Sequence, residues 1–257
     1  SSMDADTKAA IDIKVFDFAL RGDLKNACDN PFFDIRNLFQ AGIVNGVGGS
    51  AEHVVTFVNN HDFRDEGQPV QNNPELAYAF ILTNQKAGIP SVFYPDFTGI
   101  EIPHAPVLNM QADIERITSA FNQYMSNSTY DYLNRYSTPY SINYLQGIPE
   151  DAAIFQSVNG GIDGQSDAIV LINFGDDTLD VELPVSNLSS KTEGDVFIEI
   201  TGKGLIPTAT VDNNTSIRVA VPPKSYSIYI SSTSAISFNA PDKIYVDLQS
   251  NGLNNGQ

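Results

Sequence analysis

VVTFVNNHD, residues 54–62, is the stretch that decides the fold of this chain. Its first five residues are apolar or β-branched, which is typical of a strand buried on both faces. The polar residues that follow predict that the strand emerges into a polar crevice. In a parallel α/β barrel the side chains at the carboxyl ends of strands build the site, so His61 and Asp62 are candidate site residues. The alternative is that residues 59–62 only turn the chain and cap a helix.

Two further apolar segments predict strands on either side of this one. Residues 11–20 end in a solid apolar run, which fits a strand entering a core with Asp17 near its far end. Residues 91–94 predict a third buried strand, with Asp96 at its exit. Helical spacing fills the gaps between these strands and continues after the third one, at residues 23–39, 73–88 and 111–125.

From residue 152 onward the apolar residues alternate with a period of two. Short strands separated by Gly, Asn and Asp turns are predicted at residues 152–158, 167–174, 178–185, 196–201, 208–211, 216–221 and 225–231. Such regular short strands predict an antiparallel β-sandwich. Ahead of them lies a crowd of tyrosines, namely Tyr130, Tyr132, Tyr136, Tyr140 and Tyr144. We expect these rings to fill a joint between domains, with sugar stacking as the alternative.

Composition narrows the classes of partner. The 257 residues are 42% hydrophobic and allow one large or two medium domains. A net charge of −17 argues against nucleic acid and anionic membranes, and leaves neutral, hydroxyl-rich partners. No apolar run approaches the ~20 residues of a membrane helix. Residues 1–10 are expected to be a cloning remnant or linker. Glycosylation sequons, compatible with a secreted or extracellular protein, begin at Asn127, Asn187, Asn213 and Asn214.

The cysteine and two of the histidines offer little chemistry. Cys28 is the only cysteine, so the chain can form neither an intrachain disulfide nor a Cys-based metal site. It follows Leu24 at helical spacing and is expected to be a packing thiol rather than a nucleophile. His53 and His104 have no partners at metal-ligand spacing and are expected to be solvated loop residues. No metal site is predicted on this chain.

The layout of three β/α units, each ending in an acid, followed by a β-sandwich, resembles the second half of the α-amylase family, glycoside hydrolase family 13. VFDFAL at residues 15–20 and FDIRNL at residues 33–38 look like the sixth barrel strand and its helical excursion. VTFVNNHD at residues 55–62 is similar to the family's fourth short conserved region on strand seven. Asn59 stands where that family more usually has an aspartate.

Downstream segments carry the same resemblance. LAYAFIL at residues 76–82 and GIPSVFYPD at residues 88–96 look like helix seven and strand eight, with Pro95 replacing a common glycine. The match spans roughly residues 11–231. It implies a fold class of α/β plus all-β, in which the last part of a TIM (β/α)8 barrel is followed by an antiparallel β-sandwich.

The expected domains follow from this resemblance: a partial barrel over residues 11–135, the sandwich over residues 136–231, and a tail or the start of a further module over residues 232–257. Three parallel strands cannot close a barrel of eight, so unpaired edges and an apolar inner face are expected. An amino-terminal barrel half on another chain, self-association, or a compact rearrangement would cover them.

The resemblance also implies roles for the polar residues after strand seven. Asp62 would be the third carboxylate of a retaining glycoside hydrolase acting on α-glucans, and His61 and Asn60 would bind the same sugar. A nucleophile and an acid/base about 5–5.5 Å apart are also needed, and no segment here matches the family regions that carry them. The chain alone is therefore predicted to be inactive. No cofactor is expected on it, and the family allows calcium in a complete enzyme.

Three other interpretations stay open. An amylase-like remnant could bind α-glucan or oligosaccharide without chemistry, or the chain could be an interaction fragment with no affinity for sugar. A catalytic site independent of the family could be built from Asp17, Asp62 and Asp96 at three adjacent strand ends, where crowding would raise one pKa. Each of these acids also has an ordinary structural explanation.

Overall fold

A computed structural model describes residues 13–185 and 191–231 of the chain, and its amino-terminal part is built on a parallel sheet. The strands are β1 (Val15–Phe16), β2 (Val54–Phe57) and β3 (Ile89–Ser91), in the order β1-β2-β3. β2 is central and pairs in parallel with both neighbours. The parallel order therefore agrees with the predicted β/α units. The predicted remnant at residues 1–10, the predicted tail at residues 232–257 and the sequon at Asn187 lie outside the described residues.

Helices connect and cover these strands. α1 begins directly after β1 because the Asp17 carboxylate caps it, with Oδ1 accepting from the Leu20 N–H at 2.9 Å. α2 starts on Pro74, whose missing N–H costs nothing in a first turn. Every residue of α2 except Glu75 is buried. The bounds are α1 (Phe18–Asp29), a 3-10 helix (Ile35–Gln40), α2 (Pro74–Thr83), α3 (Tyr94–Thr98), α4 (Gln111–Ala120) and a π-helical turn (Phe121–Met125).

Three sequence predictions about the strands were wrong. The third strand lies at Ile89–Ser91 rather than at residues 91–94, and Asp96 is in α3 rather than at a strand exit. Pro95 suits the first turn of α3, which begins at Tyr94 and therefore places Asp96 in a helix. β1 and β3 were expected to be buried, yet both side chains of β1 are exposed, and so are Ile89 and Pro90 of β3.

The carboxyl-terminal part consists of two antiparallel sheets facing one apolar cluster. All of the strands predicted after residue 152 are present, and the cluster between the sheets includes Ile154, Leu171, Val181 and Val219. The six-stranded sheet has the order β10-β9-β12-β7-β6-β4 and the three-stranded sheet the order β11-β8-β5. The bounds are β4 (Thr129–Tyr132), β5 (Asn143–Gln146), β6 (Ala152–Gly160), β7 (Ser166–Asn173), β8 (Leu179–Pro184), β9 (Val196–Glu199), β10 (Thr208–Thr210), β11 (Ser216–Val221) and β12 (Ser225–Ser231).

The joint between the two parts is the other face of the six-stranded sheet. Phe155 on this sheet packs edge-on against Phe80 of α2, at a centroid distance of 6.1 Å. Tyr132 of β4 stacks on Phe39 at 4.4 Å. Because β4 pairs with β6, the antiparallel part begins at Thr129, whereas the predicted boundary was at residue 136. Tyr130 and Tyr132 are buried in this joint, as the packing interpretation of the tyrosines expects.

An apolar surface surrounds β1 at the edge of the parallel sheet. Phe16 is 53% exposed and Phe18 is 56% exposed, although both rings contact Phe57 edge-on. Ile13 and Val15 are exposed beside them. Within the described ranges β1 has a strand partner only on its β2 side. No helix in these ranges is long and apolar enough to cross a membrane.

Asp17 also fixes the backbone around Gly42, which gives a test of the fold. A Cβ on Gly42 would overlap Asp17 Oδ2 and lie 2.8 Å from Leu20 Cβ, and Gly42 has φ +76°. Gly48 has nearly the same φ, +79°, with no neighbour within 4 Å of its Cβ position. We expect Gly42→Ala to lower the free energy of unfolding by about 2 kcal/mol more than Gly48→Ala, because only the first adds a steric clash. Urea unfolding measures both, and equal losses would contradict the close contact.

Candidate functional site

His61 and Asp62 lie together just beyond the carboxyl end of β2. Val58 and Asn59 continue the buried strand, and the chain then turns outward. The side chains of His61 and Asp62 are 77% and 70% exposed, with His61 Nε2 3.3 Å from Asp62 Oδ1. The carboxyl end of a parallel strand is where α/β folds place ligand-binding groups. The structure therefore brings these two predicted site residues together and turns them toward solvent.

The loop that carries this pair is shaped by its own polar groups. Asn60 Oδ1 accepts from the Asp62 N–H at 2.9 Å, so Asn60 shapes the turn directly before the pair. Arg64 Nε donates to the His61 carbonyl at 2.6 Å. Gln68 Oε1 accepts from the N–H groups of Arg64 and Asp65. The backbone is thus held within the loop, while the exposed imidazole and carboxylate can meet hydroxyl groups of a ligand.

Asn59 anchors the loop from below. Its side-chain Oδ1 accepts from the Val70 N–H at 3.1 Å, and its Nδ2 donates to Asp96 Oδ2 at 3.0 Å. The Tyr78 hydroxyl donates to the same Asp96 oxygen at 2.6 Å. Asp96 is only 2% exposed, and this burial raises the pKa of its carboxyl group. Asp96 is therefore a buried structural acid that ties α2, α3 and the end of β2 together.

The amide at position 59 has a physical reason in this structure. Asp96 needs hydrogen-bond donors because it is buried, and Asn59 Nδ2 supplies one. An aspartate at position 59 would place a second carboxylate against Asp96, which is unfavourable in a buried site. The amide at position 59 therefore matches the buried carboxylate that it meets.

Asp17, Asp62 and Asp96, the three candidates for a catalytic site independent of the family, do not share one environment. Asp17 is 1% exposed, and its two oxygens accept from the backbone N–H groups of Leu20 and Ile43. Asp96 is held by Asn59 and Tyr78. Asp62 is the exposed one of the three. Asp17 and Asp96 are therefore structural, and the family-independent hypothesis loses two of its three members.

The remaining candidates occupy ordinary positions. Cys28 packs against the core cluster, and burial raises the pKa of its thiol, which disfavours a nucleophilic thiolate. His53 is exposed next to Glu52, with 3.5 Å between Nε2 and the carboxylate. His104 is exposed in a left-handed turn with φ +59°. In the described part of the chain, no group of three or more His, Cys, Asp or Glu side chains is arranged to hold a metal ion.

Arg21 is a residue at this site that the sequence analysis missed. It lies in the first turn of α1 and is buried beneath the loop, with its guanidinium over the ring of Phe63. A signal was present in the sequence, since Arg21 occurs at helical spacing with Leu24 on the apolar face of α1. A charged residue on such a face needs a specific partner.

Comparison with curated proteins finds a glucan maltohexaosidase and an alpha-amylase that are similar to part of this chain. No protein-family model matches the chain. The glucan 1,4-alpha-maltohexaosidase of Bacillus sp. (strain 707) is 36% identical over 129 residues, which are 48% of this chain and 24% of that protein. The alpha-amylase of Geobacillus stearothermophilus is 40% identical over 85 residues, which are 31% of this chain and 15% of that protein. The matched region thus spans a quarter or less of these relatives.

Solved structures show the same relationship at the level of the fold. The maltogenic alpha-amylase AmyB from Thermotoga neapolitana superposes with a TM-score of 0.57 at 13% identity, covering 88% of this chain and 52% of that one. An alpha-amylase from Malbranchea cinnamomea gives a TM-score of 0.52 at 13% identity, covering 85% and 46%. At such identities the likeness concerns the fold alone, and it extends over about half of each amylase.

The contact between Asn59 and Asp96 predicts how an acid introduced at position 59 changes the free energy of unfolding. We expect Asn59→Asp to lower the free energy of unfolding at pH 7 by about 3 kcal/mol, because two buried carboxylates would then face each other. The loss should shrink near pH 4.5, where one of them can be protonated and donate to the other. Urea unfolding at the two pH values measures this. Asn60→Asp is the matched control, and an equal loss in both variants would contradict the argument.

The raised pKa of Asp96 predicts a pH dependence of stability. An acid whose folded pKa is raised stabilises the fold fully below its unfolded value, about 3.9, and this contribution is lost as the pH rises through the folded value. The unfolding free energy of the native chain minus that of Asp96→Asn should therefore fall between pH 3.5 and pH 7. Asp65→Asn, in the exposed loop, controls for the loss of one carboxylate. A difference that rises with pH would contradict the assignment.

Proposed function

We propose that this chain is a fragment of the α-amylase family and forms part of an amylase-like glycoside hydrolase that cleaves α-glucosidic bonds in starch-type glucans with retention. In this proposal β1, β2 and β3 are the sixth to eighth strands of a TIM barrel, and the two antiparallel sheets are its carboxyl-terminal β-sandwich. The names of the two curated relatives support the substrate class.

The observation that carries the proposal is the exposed His61–Asp62 pair at the carboxyl end of the central parallel strand. The Asp62 carboxylate accepts hydrogen bonds from sugar hydroxyls, and His61 and Asn60 bind the same glucosyl unit. As the ring distorts toward an oxocarbenium ion, the hydrogen bonds to Asp62 strengthen. Bonds that are stronger in the transition state than in the ground state raise the rate of the chemical step.

The bond-breaking groups come from elsewhere in the complete site. No segment of the 257 residues resembles the family regions with the nucleophile and the acid/base, so this chain alone does not hydrolyse glucan. The exposed apolar surface at Phe16 and Phe18 supports packing against an amino-terminal barrel half, whose fifth strand would pair with the free edge of β1. Calcium ligands, where the complete enzyme uses them, belong to that half. The glycosylation sequons are compatible with such an enzyme acting outside the cell.

A second candidate function is binding without catalysis. The chain presents the sugar-binding pair without the bond-breaking residues, so it could retain affinity for an oligosaccharide as a fragment. Affinity electrophoresis in gels containing soluble starch separates this function from that of an interaction fragment, since only a saccharide site retards the band.

A chimera tests the enzymatic role of Asp62. The amino-terminal portion of the Bacillus sp. (strain 707) maltohexaosidase, with its first five barrel strands, is joined to this chain, and starch hydrolysis is measured. We expect the chimera to be active, the 257-residue chain alone to be inactive, and Asp62→Asn to lower kcat about 10²- to 10³-fold, as the loss of one preorganised transition-state contact does.

Asp65→Asn is the matched control, because it removes an exposed carboxylate from the same loop. It should keep the activity of the parent chimera. If the isolated chain hydrolyses starch and Asp62→Asn abolishes this activity, the proposal that the bond-breaking groups lie outside this chain is contradicted. A folded, active chimera that is indifferent to Asp62→Asn would contradict the role of Asp62.

A further inference from the structure

We infer that Arg21 is a positioning residue that holds the loop at residues 60–68, and with it the His61–Asp62 pair, in place over the end of β2. Only the link to glucan chemistry rests on the proposed function, since the geometry of the loop does not depend on it. Arg21 lies in the first turn of α1 and is 8% exposed, so its side chain reaches the loop from inside the protein.

The guanidinium joins the two ends of the loop. Arg21 Nε donates to the carbonyl of Val58 at 3.0 Å, directly after β2. Arg21 Nη2 donates to the carbonyl of Gln68, where the loop returns to the protein. One planar group thus binds main-chain oxygens at the beginning and at the end of the loop. The shape of the guanidinium sets the distance between these two carbonyl oxygens.

The same group also fixes the middle of the loop. Its central carbon lies 3.8 Å from the ring centroid of Phe63, the residue that follows Asp62. The Phe63 ring is nearly parallel to that of Phe57 in β2, at 6.2 Å and 14°. Phe18 meets it edge-on at 6.4 Å. Because Phe63 is held by the strand and by the guanidinium, the position of the adjacent Asp62 is restricted as well.

The choice of arginine has a physical reason. Burial lowers the pKa of Arg21 to about 10, so placing a cation here is costly. Its hydrogen bonds go to two carbonyl oxygens and its planar face lies on an aromatic ring, while the Asp29 carboxylate favours its charge without a hydrogen bond among those described. A lysine could not make both hydrogen bonds and stack on the ring, because an ammonium is a point charge without the planar fork. The geometry of the contacts, rather than charge alone, is what the loop requires.

Arg21→Lys in the 257-residue chain tests this inference without any sugar. We expect amide hydrogen exchange in residues 60–68 to become about tenfold faster or more, as the loss of a charge-assisted hydrogen bond predicts, while exchange in α2 stays unchanged. The NMR signals of the His61 ring, assigned by comparison with His61→Asn, should shift, while those of His53 and His104 should not. Phe63→Leu, which keeps the carbonyl contacts, should show the same changes to a smaller degree.

Arg218→Lys is the matched control, because Arg218 forms a two-point contact with Asp180 in the antiparallel part, far from this loop in sequence. It should change neither the loop exchange nor the His61 signals. Unchanged loop exchange in Arg21→Lys, or equal acceleration in the loop and in α2, would overturn the inference. If starch gels retard Arg21→Lys less than the native chain, the position of the loop affects glucan binding. A native chain that starch does not retard would count against the second candidate function, binding without catalysis, and leave the positioning role standing on the exchange data.

Discussion

The hydrogen bond between Asn59 and Asp96 lies where the buried central strand of the parallel sheet gives way to solvent, and the geometry of the candidate site depends on it. Asn59 is the last residue of the buried segment that continues β2. Its side-chain Oδ1 accepts a hydrogen bond from the Val70 N–H, just after the loop. Arg21 joins the same two regions through the carbonyls of Val58 and Gln68. Two buried side chains therefore close the base of the loop, and His61 and Asp62 are largely exposed while the backbone on either side of them is tied to the end of β2.

The antiparallel part contributes to the same arrangement through its shared core. The six-stranded sheet has two apolar faces, one against the three-stranded sheet and one against α2 and the 3-10 helix. Because α2 is buried on nearly all sides, it needs this second layer as well as the parallel sheet. The Tyr132 hydroxyl, bonded to Asn45 and Asn84, adds polar contacts to the joint. The two parts are thus packed as one body around α2, and the site lies on the face carrying the carboxyl end of β2.

The sequence predicted those features that depend on local pattern. The period-two alternation after residue 152 identified the strands there, since each has one face toward an apolar layer. β4 and β5 were missed because their tyrosines suggested a joint, and the joint itself proved to contain strand pairing. Asp96 was misplaced because a helix begins at Tyr94 and has Pro95 in its first turn. The role of Arg21 could not be predicted, since its partners are main-chain carbonyls 37 and 47 residues away. Every residue has such a carbonyl, so the sequence does not indicate which ones a side chain will bind.

If the loop after β2 binds a glucosyl unit through His61 and Asp62, then titration of the chain with a linear maltooligosaccharide should be visible directly at these residues by NMR. The account predicts a saturable shift of the His61 ring signals, unchanged signals of His53 and His104, and loss of the response in Asp62→Asn. Shifts confined to the tyrosines of residues 130–144, or a response that survives Asp62→Asn unchanged, would contradict it.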